Sequence, residues 1–224
     1  MSKKRKYYTW GFWVAVVLLS VSSFVYFWNS NRSPVGENVI RNIQGESIKE
    51  RTLRNYSEEV YRIAEKEEVS YAYLMALISL ECSGNKPAGN RYEKHVHNRL
   101  REVQEGSLRR YENIKKSTIA DASDEALKNL ATSWGAFQLM GYKCVGLGVN
   151  VKDIRGEDGL EHGVRWIKEE YGRFLKKGKF KDAFHYHNTG RKFPRDGVSR
   201  THDPRYVDKG LAYMEFFEAN PPTR

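Results

Sequence analysis

The clearest pattern of hydrophobic and polar positions lies in residues 70–84, whose sequence is SYAYLMALISLECSG. Four of its side chains recur at i, i+3, i+4 and i+7, the spacing that places them on one face of an α-helix. These side chains are Leu74, Leu77, Ile78 and Glu81. Ser70 is a residue type preferred at helix N-caps, and Gly84 is one preferred just beyond a helix C-terminus. The spacing therefore predicts a helix over 70–81 with one face against a core.

Glu81 is the one acid on this apolar face. Burial among aliphatic side chains favours the protonated form of a carboxyl group, and the negative end of the helix dipole in the last turn acts in the same direction. A glutamic acid that keeps its proton near neutral pH can serve as a general acid. Most carboxylates at the edge of a helical stripe are simply solvated, however, and the spacing alone leaves both interpretations open.

Similar periodicity predicts further helices along the chain. They cover residues 56–68, 92–103, 123–130, 158–175 and 180–188, and a last helix runs from the Asp203-Pro204 pair to about residue 219. Few stretches alternate apolar and polar residues as a strand would, and there is no internal repeat. The sequence therefore predicts an all-α or mainly α fold with irregular loops on one side. The segment at 133–141 is compact and rich in aromatic residues and glycine.

The N-terminal region has the pattern of a membrane anchor. Residues 1–8 form a basic lead, and residues 9–28 are mostly apolar and carry no charge. A bilayer-spanning helix needs about 20 such residues, and aromatic residues near both ends suit the two membrane interfaces. Because the basic lead stays in the cytoplasm, the rest of the chain is expected outside it. A cleaved signal peptide is the alternative, but its apolar region is usually shorter and ends in small residues.

The remaining chain divides into a tether and a domain. Residues 29–53 are polar and contain one proline, a composition typical of a tether, although the stretch IRNIQGESIKERTLR at 40–54 also suits a short helix. A folded domain is predicted over 54–220. The chain has a formal net charge of +10, of which the basic lead supplies four. The remaining +6 suits an anionic partner such as an acidic glycan or a membrane surface, although it also suits solubility alone. The export signal argues against a nucleic-acid binder.

Cysteine and histidine usage gives no sign of a metal centre. The two cysteines have neither Cys-x-x-Cys nor zinc spacing. His95 with His97, and His185 with His187, form two His-x-His pairs in predicted helices, where side chains at i and i+2 point away from each other. No metal and no cofactor are expected.

Four short motifs in order resemble a known family. They are ECSG at 81–84, SWGAFQLM at 133–140, AFHYHNTG at 183–190 and YV at 206–207. Together they resemble the lysozyme-like superfamily of lytic transglycosylases and goose-type lysozymes, and the stretch RYEKHVHNRL at 91–100 also resembles bacterial N-acetylmuramidases. The resemblance covers about residues 56–217. It implies a lysozyme-like helical domain that cleaves the β-1,4 bond between N-acetylmuramic acid and N-acetylglucosamine in peptidoglycan.

The resemblance assigns the catalytic acid to Glu81. In a lytic transglycosylase one glutamate acts as acid and then as base, and the substrate's own hydroxyl closes a 1,6-anhydro ring. In a hydrolase a second carboxylate positions water, and Glu93 is the candidate for that role. Glu93 is equally compatible with a surface position in a first helical turn, where the helix dipole favours an acid.

The resemblance also implies a set of substrate-binding residues. They are Ser133, Gly135, Gln138, Tyr186, His187 and Asn188. Gln138 would bond sugar hydroxyl or acetamido groups, and Gly135 would let the backbone approach the glycan. The chain departs from the family where a tyrosine is usual before Asn188: His187 stands there, with Tyr186 one position earlier, so either could take over the tyrosine's role.

A disulfide between Cys82 and Cys144 is a further expectation, because the family fold places both segments along one groove and the domain is expected outside the cytoplasm. The sequence thus predicts a peptidoglycan-cleaving enzyme, anchored by a single span in a bacterial inner membrane with its catalytic domain in the periplasm. Its expected partners are glycan strands and that membrane. The alternative is a non-catalytic peptidoglycan-binding scaffold of the same shape.

Overall fold

The computed structural model describes residues 45–222. The predicted basic lead, the membrane anchor at 9–28 and most of the tether lie outside the described residues. The described residues belong to one compact unit. Within the described part, no helix is both long enough and apolar enough to cross a membrane.

The fold is mainly helical, with a few very short strands. The helices are α1 (Ile48–Glu67), α2 (Tyr71–Cys82), α3 (Lys94–Glu105), α4 (Lys116–Ile119), α5 (Asp124–Leu130), α6 (Cys144–Leu147), α7 (Val151–Arg155), α8 (Gly159–Leu175), α9 (Phe180–Thr189) and α10 (Tyr206–Ala219). The strands are β1 (Asn90–Tyr92), β2 (Arg110–Tyr111), β3 (Ile114–Lys115), β4 (Thr132–Trp134) and β5 (Leu139–Met140). A 3₁₀ turn, Gly141–Lys143, follows β5.

Helix α2 lies at the centre of the main hydrophobic cluster and packs against α1 and α10. The Oγ of Ser70 accepts a hydrogen bond from the backbone N–H of Tyr73, and Ser83 in the left-handed conformation ends the helix. The spacing predicted that one face of this helix would be buried, but residues 72–79 are all buried, so the helix is buried on every side. A helix that is apolar all round is typical of a core position.

Helix α1 begins earlier than predicted. The Oγ of Ser47 accepts a hydrogen bond from the backbone N–H of Glu50, whose side chain bonds back to the Ser47 N–H, so the helix begins inside the expected tether. Thr52 is buried, with its Oγ1 2.9 Å from the Oγ of Ser79. The predicted boundary at residue 53 is therefore wrong, because buried contacts between α1 and α2 hold residues 48–53 in the domain.

A three-stranded antiparallel sheet, with the strand order β1–β4–β5, contains two segments for which no strand was predicted. Tyr92 was expected on the buried face of a helix over 92–103, but it ends β1 and is 39% exposed. The compact aromatic and glycine-rich segment at 133–141, for which no strand was predicted, holds the β4–β5 hairpin, in which Ser133 pairs with Met140. Strands of two or three residues are too short to show alternation in sequence.

The last helix also begins later than predicted. Asp203 forms a turn instead of a helix cap: its Oδ1 accepts a hydrogen bond from the backbone N–H of Arg205, and its carbonyl accepts one from the N–H of Tyr206. Helix α10 therefore begins at Tyr206, which places the Tyr206 side chain at the start of a helix that packs on α2.

Candidate active site

Glu81 lies in the last turn of α2, where the buried helix reaches the surface. The hydroxyl of Tyr206 donates a hydrogen bond to its Oε1, and the Nε2 of His187 lies 3.7 Å from the same oxygen. The Glu81 side chain is 16% exposed. The carboxyl group is thus held by protein groups on one side and open on another, which is the arrangement a proton donor to an external substrate requires.

The hydrogen bonds of His187 define its tautomer. Its Nε2 lies 3.2 Å from the backbone carbonyl of Phe137, and a carbonyl can only accept, so Nε2 carries the hydrogen. Its Nδ1 therefore accepts from the hydroxyl of Tyr171 at 2.8 Å. Burial lowers the pKa of His187 from its usual value, although the Glu81 carboxylate opposes this effect. The imidazole beside Glu81 is accordingly neutral near pH 7.

Buried tyrosines extend the hydrogen-bonded group into the core. The hydroxyl of Tyr73 donates to that of Tyr171 at 3.3 Å, and Tyr171 donates in turn to His187. Burial, reinforced by neighbouring tyrosines and by the Glu81 carboxylate, raises the pKa of Tyr171 well above its usual value. Burial and the Glu81 carboxylate do the same for the pKa of Tyr206. All these hydroxyl groups therefore keep their protons and act as donors.

The β4–β5 hairpin lies next to this group through the Phe137 carbonyl. Gln138 follows Phe137, and its amide bonds within the hairpin: Oε1 accepts from the Oγ of Ser133 at 2.8 Å, and Nε2 donates to the carbonyl of Gly135 at 3.0 Å. Both Gly135 and Gln138 have a positive φ, of 70° and 48°. The predicted substrate-binding residues Ser133, Gly135 and Gln138 thus lie together in one tight turn.

The contacts of Glu93 are with residues near it in sequence and with Ala131. Its carboxylate contacts the guanidinium of Arg91, and its Oε2 lies 3.5 Å from the Nδ1 of His95. Its backbone N–H donates to the carbonyl of Ala131 at 2.9 Å, which fixes Glu93 between β1 and α3. It contacts neither of the side chains that bond or face Glu81.

Of the three consecutive residues expected to bind substrate, only His187 lies beside Glu81. Tyr186 is half-buried on the core side of α9, with its ring 5.4 Å from that of Tyr171 and 5.7 Å from that of Phe174. Asn188 is exposed. The helical turn between adjacent residues explains the difference, since neighbours in sequence point in different directions.

Sequence reasoning gave no role to Tyr206 and Tyr171. Tyr206 belongs to the YV motif, which was noted only as part of the resemblance, and its contact with Glu81 spans 125 positions. Tyr171 had no local signal beyond its place in an apolar stripe. It lies where the helical φ/ψ of α8 is interrupted, at φ −141° and ψ 15°.

Cys82 and Cys144 are both buried free thiols, so the predicted bridge is not formed. The Cys82 side chain belongs to the main cluster, with its Sγ 3.3 Å from the carbonyl of Ile78. The Cys144 side chain belongs to a separate cluster with Leu139 and Ile154. Burial raises the pKa of each thiol to about 11, which keeps both protonated at neutral pH.

The histidines of the His-x-His pairs have other partners. The Nδ1 of His185 lies 2.8 Å from the carbonyl of Arg191, and its Nε2 accepts from the backbone N–H of Arg200 at 3.1 Å. The Nδ1 of His97 lies 2.6 Å from the hydroxyl of Tyr92. Among residues 45–222, no group of three or more His, Cys, Asp or Glu side chains is arranged to hold a metal ion.

Comparisons with known proteins gave a match among solved structures and none among protein families or curated proteins. No protein-family model matches the chain, and no curated protein matches it. Among solved structures, the crystal structure of Burkholderia AP3 phage endolysin matches with 22% sequence identity and a TM-score of 0.49. The match covers 73% of this chain and 71% of the endolysin chain.

Proposed function

We propose that this protein cleaves the β-1,4 bond between N-acetylmuramic acid and N-acetylglucosamine in peptidoglycan, with Glu81 as the general acid. The observation that carries the proposal is the setting of the Glu81 carboxyl group. It lies at the end of a buried helix, accepts a hydrogen bond from Tyr206, faces a neutral imidazole and is still 16% exposed. The sequence motifs at 81–84, 133–140 and 183–190 support the choice of substrate.

In the first step, Glu81 gives its proton to the glycosidic oxygen while the bond from that oxygen to the sugar's anomeric carbon breaks. The proton loss leaves a carboxylate. The Tyr206 hydroxyl already donates a hydrogen bond to this group, so it stabilises the carboxylate without reorganisation.

The second step distinguishes the two possible enzyme classes. In a transglycosylase, the Glu81 carboxylate takes the proton of the sugar's C6 hydroxyl, which attacks the anomeric carbon and closes the anhydro ring. In an inverting muramidase, a second carboxylate about 6.5–9.5 Å away positions water. Glu93 is bound to Arg91 and has no contact with the partners of Glu81. A second carboxylate about 6.5–9.5 Å away would share no contact with Glu81 either, so the reaction products distinguish the two routes.

The proposal includes attachment to the inner membrane through residues 9–28, with the domain in the periplasm. The uncharged apolar run behind a basic lead supports it. Fusion of a periplasm-dependent reporter after residue 224 tests the orientation. An inactive fusion, with activity instead from a cytoplasm-dependent reporter fused at the same position, would contradict it.

The activity is tested by digesting purified peptidoglycan and identifying the products by mass. We expect soluble muropeptides from the parent protein and none from Glu81→Gln. Anhydro ends that persist in Glu93→Gln would indicate a lytic transglycosylase. Glu105→Gln is the matched control, because Glu105 is also the last acid of a helix but is exposed. Reducing ends that disappear in Glu93→Gln would indicate a muramidase instead. Binding without cleavage by the parent would indicate the non-catalytic scaffold.

A further inference from the structure

The positive charge of the described residues is concentrated in one stretch, residues 173–195. It contains eight cationic residues and a single acid, Asp182, and so has a net charge of +7, whereas the rest of residues 45–222 sums to −3. The cationic residues are Arg173, Lys176, Lys177, Lys179, Lys181, Arg191, Lys192 and Arg195. The basic character of the domain is thus local, and general solubility does not explain it.

The fold brings both ends of this stretch together on one surface. The turn between α8 and α9 meets the loop after α9, where the backbone N–H of Phe193 donates to the Oδ1 of Asp182 at 3.2 Å. The Nζ of Lys181 lies 5.9 Å from the centre of the Phe193 ring. A shallow depression of about 420 Å³ lies between them. We call residues 173–181 together with 191–195 the basic face.

The charges of the basic face are available to a partner. All eight cationic side chains are exposed, and none of them forms an ion pair with an acid in the part of the chain that the structure describes. The one acid of the stretch, Asp182, accepts from a backbone N–H. Exposed cations on one surface repel one another, so an anionic surface that neutralises them is favoured.

Apolar side chains accompany these charges. Phe180 and Phe193 line the depression and are only partly buried, and Val198, just beyond the loop, is 53% exposed. A membrane surface offers phosphate groups for lysine and arginine and an apolar layer for aromatic and aliphatic side chains directly beneath. The depression is shallow and is lined mainly by lysine and phenylalanine, which suits an extended surface better than a small molecule.

We propose that the basic face binds the anionic headgroups of a phospholipid bilayer. Each cation near such a surface strengthens binding by roughly fivefold, and partly inserted apolar groups add to it. This contact is independent of the predicted anchor at 9–28 and of the cleavage reaction. It would orient the domain on the membrane and thereby limit the directions from which Glu81 can be reached.

The test uses the fragment that begins at Asn42, because the predicted anchor would attach the full chain to vesicles by itself. All three hydrophobic clusters lie within this compact unit, so the fragment keeps its core. We measure its sedimentation with phosphatidylcholine vesicles that contain or lack phosphatidylglycerol. We expect binding only to vesicles that contain phosphatidylglycerol, and weaker binding as the salt concentration rises.

Two triple variants separate the basic face from charge in general. Changing Lys177, Lys179 and Lys181 to glutamine is expected to weaken vesicle binding about a hundredfold. The control changes Arg109, Arg110 and Lys115, which are equally exposed but belong to the β2–β3 region packed on a different cluster. It removes the same charge and should change binding only slightly. Thermal unfolding establishes that each variant folds like the parent.

Three results would overturn the proposal. The first is equal binding to both kinds of vesicle, and the second is an equal loss of binding in both triple variants. The third is tight binding of soluble polyphosphate, lost in the Lys177, Lys179 and Lys181 variant, without binding to either vesicle. That result would assign the basic face to a soluble polyanion.

Discussion

The hydrogen bond from Tyr206 to Glu81 gives the sharpest prediction about catalysis. Tyr206→Phe removes one hydroxyl group and keeps the aromatic ring, which is buried in the main cluster. The hydroxyl stabilises the carboxylate that Glu81 becomes when it protonates the substrate. A hydrogen bond to a charged group contributes about 1.5–3 kcal/mol. At about 1.4 kcal/mol for each factor of ten, kcat should fall roughly 10- to 150-fold.

The assay is the rate of release of soluble muropeptides at a series of peptidoglycan concentrations. Because the charge on Glu81 develops only as the bond breaks, the loss should appear in kcat, with KM nearly unchanged. Tyr213→Phe is the matched control, since Tyr213 lies two turns further along α10 and is partly buried against the same cluster. An unchanged kcat in a folded Tyr206→Phe protein would refute the assigned role of this hydroxyl.

Three further predictions concern stability and the thiols. Gly84→Ala should lower the free energy of unfolding by about 3 kcal/mol or more, because its φ is +70° and its Cβ would lie 2.4 Å from a side-chain atom of α1. Gly89→Ala is the control: its φ is +75° but there is open space around it, so urea unfolding should show a loss of only about 1–2 kcal/mol. Burial lowers the pKa of His187 from its usual value of 6.5, so as the pH drops below 6.5 the unfolded state takes up a proton before the folded state does. The folded state should therefore become less stable in that range, and the urea midpoint should fall less in His187→Gln. Thiol titration without reductant should find Cys82 and Cys144 unreactive in the native protein and both reactive after unfolding, whereas a bridge would leave them unreactive in both states.

The sequence was most informative where local periodicity decides the structure. The spacing of apolar residues around Glu81 predicted α2 and placed the acid in its last turn. The long helix α8 was predicted almost to its bounds, Gly159–Leu175, by the same kind of pattern. Both helices bury residues repeated every turn, which is information carried by the segment itself.

The sequence was least informative where distant segments meet. His187 reaches Glu81 from α9, and its second nitrogen is oriented by Tyr171 of α8. None of these contacts leaves a trace in local spacing, because side chains far apart in sequence meet only when the helices pack. The predicted disulfide failed for the same reason: Cys82 and Cys144 pack into different clusters.

The central claim concerns the proton that Glu81 gives to the glycosidic oxygen. The most direct measurement compares the rate constant for peptidoglycan cleavage and the amount of peptidoglycan bound, for the parent protein and for Glu81→Gln. We expect equal binding and a cleavage rate at least 100-fold lower in Glu81→Gln, since general acid catalysis contributes about 10²–10⁴-fold. Cleavage by Glu81→Gln at the parent rate would contradict the account.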